Sequence, residues 1–135
     1  MSEDRGFQAI LNQSDILINL LPLTTETKGL FNTRTFNMMK ADATFINLAR
    51  GGHVVEDDLL AALNNSTIKH AMLDVFNVEP LPESHVFWQH TKITILPHIA
   101  AITDPKTAST VVATNVRSFL NGTPVADIVD RTREY

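Results

Sequence analysis

The sequence predicts an α/β chain with about four parallel strands flanked by helices, or about half of a doubly wound sheet. Three observations carry this. Asp15–Leu21 (DILINLL), Ala43–Leu48 (ATFINL) and Ala71–Phe76 (AMLDVF) are short runs that are mostly apolar without alternating. Such runs suit strands apolar on both faces, as a parallel sheet covered by helices requires. They alternate in order with segments of helical spacing, and nearly every run closes at a turn signal. The crossovers implied by this order are right-handed.

Each element has its own reason. The first strand run stops at Pro22. Thr33–Met39 reads as a short helix with Asn32 or Thr33 as its N-cap. The second strand ends at Arg50-Gly51-Gly52. Glu56–Leu63 (EDDLLAAL) has helical spacing, and its first-turn carboxylates suit the positive end of the helix dipole. The third strand, read with Asp74 inside it, leads into a loop containing Pro80 and Pro82. Lys92–Leu96 (KITIL) is the fourth strand, stopped by Pro97. Asp104–Leu120 is the longest helix; Val111, Val112, Val116, Phe119 and Leu120 supply its apolar stripe, and Asn121-Gly122 ends it. The expected organisation is a lead segment over 1–14, a half-sheet unit over 15–121 and a tail over 122–135.

Composition agrees with a globular chain. Of 135 residues, 44% are hydrophobic and 19% charged, with five Gly and six Pro, which excludes a disordered or collagenous chain. The net charge of −4, without a Lys/Arg cluster, argues against nucleic-acid binding. With no cysteine, disulfides, iron–sulfur clusters and thiolate zinc sites are excluded. No apolar run approaches the roughly 20 residues of a membrane span. Met1–Asn12 carries Glu3, Asp4 and Arg5 and does not read as a signal peptide. A soluble cytoplasmic location is the expectation.

In open parallel sheets, ligands sit beyond the carboxyl ends of the strands. The residues there are Pro22 to Thr25 after the first strand and Ala49 to Gly52 after the second. The third strand's loop carries Glu79, and Pro97-His98 follows the fourth. Arg50, Glu79 and His98 are therefore expected to converge on one edge. A guanidinium matches a carboxylate with its planar fork. A histidine exchanges a proton near neutral pH, and a neighbouring carboxylate orients the ring and favours its imidazolium form. An anchor for a carboxylate and a proton donor are what reduction of a 2-oxo acid needs. The hydride must come from a nicotinamide cofactor, since side chains cannot supply it. Each residue alone has an ordinary structural reading: a loop histidine, a surface ion pair, a solvated turn. Their joint placement at the strand ends points to chemistry. His53 precedes Glu56 without a His-Glu-x-x-His pattern, so no zinc site is expected, and His70, His85 and His90 lack paired spacing. No Gly-x-Ser-x-Gly elbow is present.

Three motifs, Asn47-Leu48-Ala49-Arg50-Gly51-Gly52, Leu73-Asp74-Val75-Phe76-Asn77-Val78-Glu79-Pro80-Leu81-Pro82 and Pro97-His98-Ile99-Ala100-Ala101, resemble the signatures of the D-isomer-specific 2-hydroxyacid dehydrogenases in order and spacing. His53 to Asp58, Trp88-Gln89-His90 and Ala100 to Thr103 are most similar to the glyoxylate/hydroxypyruvate reductase A branch. The resemblance implies a Rossmann-like NAD(P)H-binding fold. It implies that Arg50 binds the substrate carboxylate and carbonyl, that His98 is the acid–base and that Glu79 hydrogen-bonds it. It also implies a cofactor cleft involving Leu21, Pro22, Leu48, Ala49, Arg50, Asp74, His98 and Ala101, with Asp74 by the nicotinamide. Thr27 is a further candidate for the cleft. The alternative for Asp74 is a strand-end carboxylate held by backbone N–H groups, and for Thr27 a role only within its turn. A 2-oxo or 2-hydroxy acid substrate, a homodimer in the full-length form and no metal complete the picture.

The resemblance also implies a Gly-rich phosphate turn, a ribose-reading charged residue about 20 positions beyond it and a substrate domain, none of which the sequence is expected to contain. The glycines are Gly6, Gly29, Gly51, Gly52 and Gly122, so the sequence holds no Gly-x-Gly-x-x-Gly turn for the pyrophosphate. The chain therefore reads as the C-terminal part of a reductase, with negligible turnover and a tendency to self-associate expected of it alone. The alternative is a non-enzymatic remnant, interaction module or split subunit with the same fold.

Overall fold

The structure is a computed structural model and describes residues 3–101, 103–126 and 128–132. Four strands, β1 (Ile16–Asn19), β2 (Thr44–Asn47), β3 (His70–Leu73) and β4 (Ile93–Ile95), form a sheet in sequential order with every pairing parallel. Asn19, Asn47 and Leu73 stand level across β1 to β3, and Leu73 pairs with Ile95. All four carboxyl ends thus open on one edge.

The strands are shorter than their apolar runs. Asp74 is not inside the third strand but one residue beyond it. The runs stay apolar past the ladder because the turns that follow are packed: Ala49 and Val75 are buried outside any strand. β1 also differs from the expected two-sided burial. Leu17 and Asn19 point into the protein, while Ile16 and Ile18 are more than half exposed.

Helix α1 (Glu3–Gln13) occupies most of the expected lead segment. It is anchored by Leu11, which is fully buried. The helix expected at Thr33–Met39 is regular only over α2 (Thr33–Phe36). Its cap is Asn32, whose side chain accepts from the Arg34 and Thr35 N–H groups while Thr35 Oγ1 accepts the Asn32 N–H at 2.9 Å. α3 (Glu56–Asn64) begins with three carboxylates, and one of them, Asp58, accepts the Thr33 N–H at 2.8 Å, joining the two helix starts. The core lies between these helices and the sheet. Phe45 of β2 packs on Phe31 and Phe36 at ring-centroid distances of 4.6 and 5.6 Å. Leu59, Leu63 and Ile68 are fully buried with them. Each such side chain contributes on the order of 1.5–3 kcal/mol by leaving water.

The chain divides into two compact units, Met1–Ala100 and Ala101–Tyr135. This division differs from the expected 15–121 unit, because the long helix α4 (Pro105–Leu120) falls in the second unit and buries no residue of its own. α4 is capped by Asp104, whose side chain accepts the Lys106 N–H at 3.1 Å. It ends at Asn121, followed by Gly122 at φ +65°. Its stripe is open to solvent, with Val112 61% and Phe119 75% exposed. Ile102, within the Ala100 to Thr103 motif, and parts of the 122–135 tail lie outside the described residues. Among the described residues, no helix is long and apolar enough to cross a membrane.

Candidate active site

The site is built on the strand ends of the first unit. At β1 and β2 the builders are two buried asparagines. Asn19 donates through Nδ2 to Asn47 Oδ1 at 3.0 Å, and its own Oδ1 accepts the Leu21 N–H. Asn47 donates to the Arg50 carbonyl at 3.0 Å and accepts the Ala49 N–H at 3.2 Å. These side chains act as local turn caps, leaving strand backbone groups free for the ladder. They set the course of Leu21-Pro22 and of Leu48-Ala49-Arg50. Leu21 and Pro22 are exposed, Leu48 is half-buried and Ala49 is buried.

His53 joins the two turns. It is fully buried, with Nδ1 3.0 Å from the Arg50 carbonyl and Nε2 3.2 Å from the Pro22 carbonyl. The same Pro22 carbonyl accepts Thr27 Oγ1 at 2.7 Å, so Thr27 serves its turn. The segment carrying His53 is held in turn by the Phe31–Val54 bridge. Gly51 lies so close to the next loop that a Cβ there would meet the Phe76 carbonyl carbon at 2.0 Å. No side chain larger than hydrogen fits, which explains the glycine after Arg50.

At β3 and β4 two carboxylates organise the loops. Glu79 accepts the Phe76 N–H at 2.9 Å through Oε1 and faces His98 Nδ1 at 2.7 Å through Oε2. Partial burial pushes the Glu79 carboxyl up, but the Phe76 N–H and the His98 ring together outweigh this and hold it below its ordinary value. Glu79-Pro80 is a cis peptide bond. Asp74 is 1% exposed, and its two oxygens accept the Ile99 and Ala100 N–H groups, each at 2.9 Å. His98 itself lies at φ +55°, in the left-handed region that non-glycine residues seldom adopt. Both Glu79 and His98 line a cleft of about 680 Å³ walled by Phe76, Leu81, Trp88 and Ile95.

Of the three expected side chains, the structure brings Glu79 and His98 into contact. Among the described residues, Arg50 forms no hydrogen bond or ion pair with either of them. It is exposed, its Nη1 donates to the Ala49 carbonyl at 2.6 Å, and among the described residues it forms no ion pair. Asp74 has the geometry of the alternative reading, a buried strand-end carboxylate occupied by backbone amides. Ala101 is exposed and belongs to the second unit. Asn19 and His53 were not among the expected site residues. Polar residues inside or just after an apolar strand run were the available signal, since a buried polar group needs a partner. The remaining histidines have structural partners: His70 meets Thr94 Oγ1 at 2.9 Å, His85 meets Glu56 at 3.4 Å and His90 meets Asn64 at 3.2 Å.

Residues 2–100 match the profile of the D-isomer specific 2-hydroxyacid dehydrogenase NAD binding domain. The chain is 49% identical over 127 residues to the glyoxylate/hydroxypyruvate reductase A of Citrobacter koseri, covering 94% of this chain and 41% of that protein. The Escherichia fergusonii reductase A is 47% identical over the same length and shares. A D-isomer specific 2-hydroxyacid dehydrogenase from Xanthobacter autotrophicus, solved with NADPH and MES, superposes with a TM-score of 0.92 at 40% identity, over 97% of this chain and 54% of that one. An NADPH-dependent glyoxylate/hydroxypyruvate reductase from Sinorhizobium meliloti, solved with NADP and sulfate, gives 0.90 at 35% identity, over 97% and 43%. The chain thus spans about two fifths of the length of the curated relatives it matches.

Proposed function

Because the chain belongs to the D-isomer specific 2-hydroxyacid dehydrogenase family, we propose that its strand-end residues perform the acid–base and substrate-anchoring part of an NAD(P)H-dependent reduction of a small 2-oxo acid. Glyoxylate and hydroxypyruvate are the substrates the named relatives suggest. The observation that carries the reading is the Glu79–His98 contact at 2.7 Å, set at the carboxyl edge of a parallel sheet.

The chain's residues fit the nicotinamide end of a dinucleotide. Leu21-Pro22 and Leu48-Ala49 offer apolar turns at neighbouring strand ends, their backbones fixed by Asn19, Asn47 and His53. None of the five glycines builds a Gly-x-Gly-x-x-Gly turn, so a pyrophosphate grip is not among these residues. The cofactor, when bound, supplies the hydride.

The protein groups do the rest. Nδ1 of His98 is occupied by Glu79, which leaves Nε2 as the nitrogen that passes a proton to the substrate oxygen. Glu79 compensates the charge of the protonated ring and fixes its plane. The Arg50 guanidinium, unpaired with any carboxylate among the described residues, takes the substrate carboxylate with its planar fork. The cleft walled by Phe76, Trp88 and Ile95 keeps one side of the pair apolar. The same reading accounts for the chain's expected inactivity alone. Purified chain mixed with NADPH or NADH and glyoxylate is expected to show negligible cofactor oxidation. Oxidation that His98→Ala abolishes would overturn the view that these residues provide only part of a site.

A further inference from the structure

We propose that Asp74 is a positioning residue for His98, fixing the backbone conformation from which the ring meets Glu79; the proposal rests on the acid–base reading of that pair. The first support is the mooring of Asp74 itself. It follows β3 directly, and its N–H donates to the Asn47 carbonyl of β2 at 3.0 Å. The carboxylate is therefore carried by the sheet rather than by a loop. The second is its occupancy. Each of its two oxygens accepts one N–H, from Ile99 and from Ala100, both at 2.9 Å, and the residue is 1% exposed.

The third support is the residue just before those two amides. His98 lies at φ +55°, where a side chain crowds its own backbone and which a histidine holds only when its surroundings impose it. A left-handed residue beside consecutive N–H groups that converge on one anion is the geometry of a backbone nest. Here the anion is a side chain of the protein's own sheet. Satisfying two amides with charge-assisted bonds offsets the strain at His98. The arrangement also explains why the residue is an aspartate. An asparagine has the same shape but one acceptor oxygen. Its NH2 group would face the second amide, donor against donor. Glu79 then works on a ring whose backbone is already set. The two carboxylates thus hold different parts of one residue, Asp74 the main chain and Glu79 the imidazole.

The proposal is tested by solution NMR of the whole chain, wild type and Asp74→Asn. In the wild type, through-hydrogen-bond scalar couplings are expected from the Ile99 and Ala100 amide nitrogens to the Asp74 carboxyl carbon. In Asp74→Asn, exchange of these two amides is expected to accelerate about tenfold to a hundredfold, the worth of a hydrogen bond to a charged group. His98 should lose its left-handed coupling constants and its ring contact with Glu79, while the β1–β2 amides keep their protection. A variant that keeps the left-handed His98 and the ring contact would overturn the proposal. If the variant does not fold, the wild-type couplings decide: Ile99 and Ala100 amides with no coupling to the Asp74 carboxyl carbon also overturn it. None of these readouts involves cofactor or substrate, so the proposal can fail while the reductase reading stands, and the reverse.

Discussion

Nδ1 of His98 lies 2.7 Å from Oε2 of Glu79, and the other oxygen of the same carboxylate accepts the Phe76 N–H at 2.9 Å. The carboxylate is thus tied to its own loop and to the ring at once.

The pair has a defined acid limit. Glu79 is held below its ordinary value of 4.5: partial burial pushes it up, but the Phe76 N–H and His98 together outweigh that effect. A carboxyl group depressed in the folded state adds stability that is complete above its unfolded value. That contribution is lost as pH falls through the lowered folded value. The pair should therefore persist on acidification through neutral and weakly acidic solution and break only below 4.5. Carbon-detected titration of the Glu79 carboxyl is expected to give a midpoint under that figure; a midpoint at or above it would contradict the geometry.

Gly51→Ala should be among the most damaging small substitutions. The added carbon would stand 2.0 Å from one backbone atom of Phe76 and 2.2 Å from another, and backbone cannot rotate away as a side chain can. A loss of about 1–3 kcal/mol or more in urea unfolding is expected. A change within about 0.5 kcal/mol, the range of ordinary surface substitutions, would show that the two loops move freely.

His53→Ala removes a buried ring placed between two carbonyls. Asn47 still serves the Arg50 carbonyl and Thr27 the Pro22 carbonyl, so the cost is partial. It is expected at about 1–3 kcal/mol. Amide shifts of Leu21 and Ala49 should change with it, since both turns lose their shared strut. Unchanged shifts there would limit His53 to packing.

The exposed apolar stripe of α4, with Val112 61% and Phe119 75% exposed, predicts association of the chain in solution. Size-exclusion chromatography should show an apparent mass that rises with concentration. A single compact monomer across the accessible range would contradict this.

Much of the sheet is legible in the sequence because a parallel strand needs a short apolar run and a stop. Pro22, Gly51 and Pro97 supply stops, and the order of strands follows. The bounds are less legible, since Ala49 and Val75 continue the apolar pattern into buried turns. The first helix is hard to read: its mean composition is polar, and of its residues with described side chains only Leu11 is buried to completion. In the site, Glu79 and His98 can be placed together from their positions after β3 and β4. The occupancy of Asp74 cannot, because its partners are backbone N–H groups and nearly any residue carries one. Arg50 can be placed at the strand-end edge but its partner cannot be read, because its Nη1 turns to the backbone carbonyl of its own neighbour Ala49.

The acid–base role of His98 is tested most directly by grafting. The 127-residue stretch matched in the Citrobacter koseri reductase would be replaced by this chain's own residues. Cofactor oxidation with glyoxylate would then be measured with and without His98→Ala. The account predicts an active chimaera whose turnover falls by about two to four orders of magnitude on losing the histidine, the usual worth of general acid–base catalysis. A chimaera that keeps its rate without His98 would contradict it, as would one that folds and binds NADPH but never turns over.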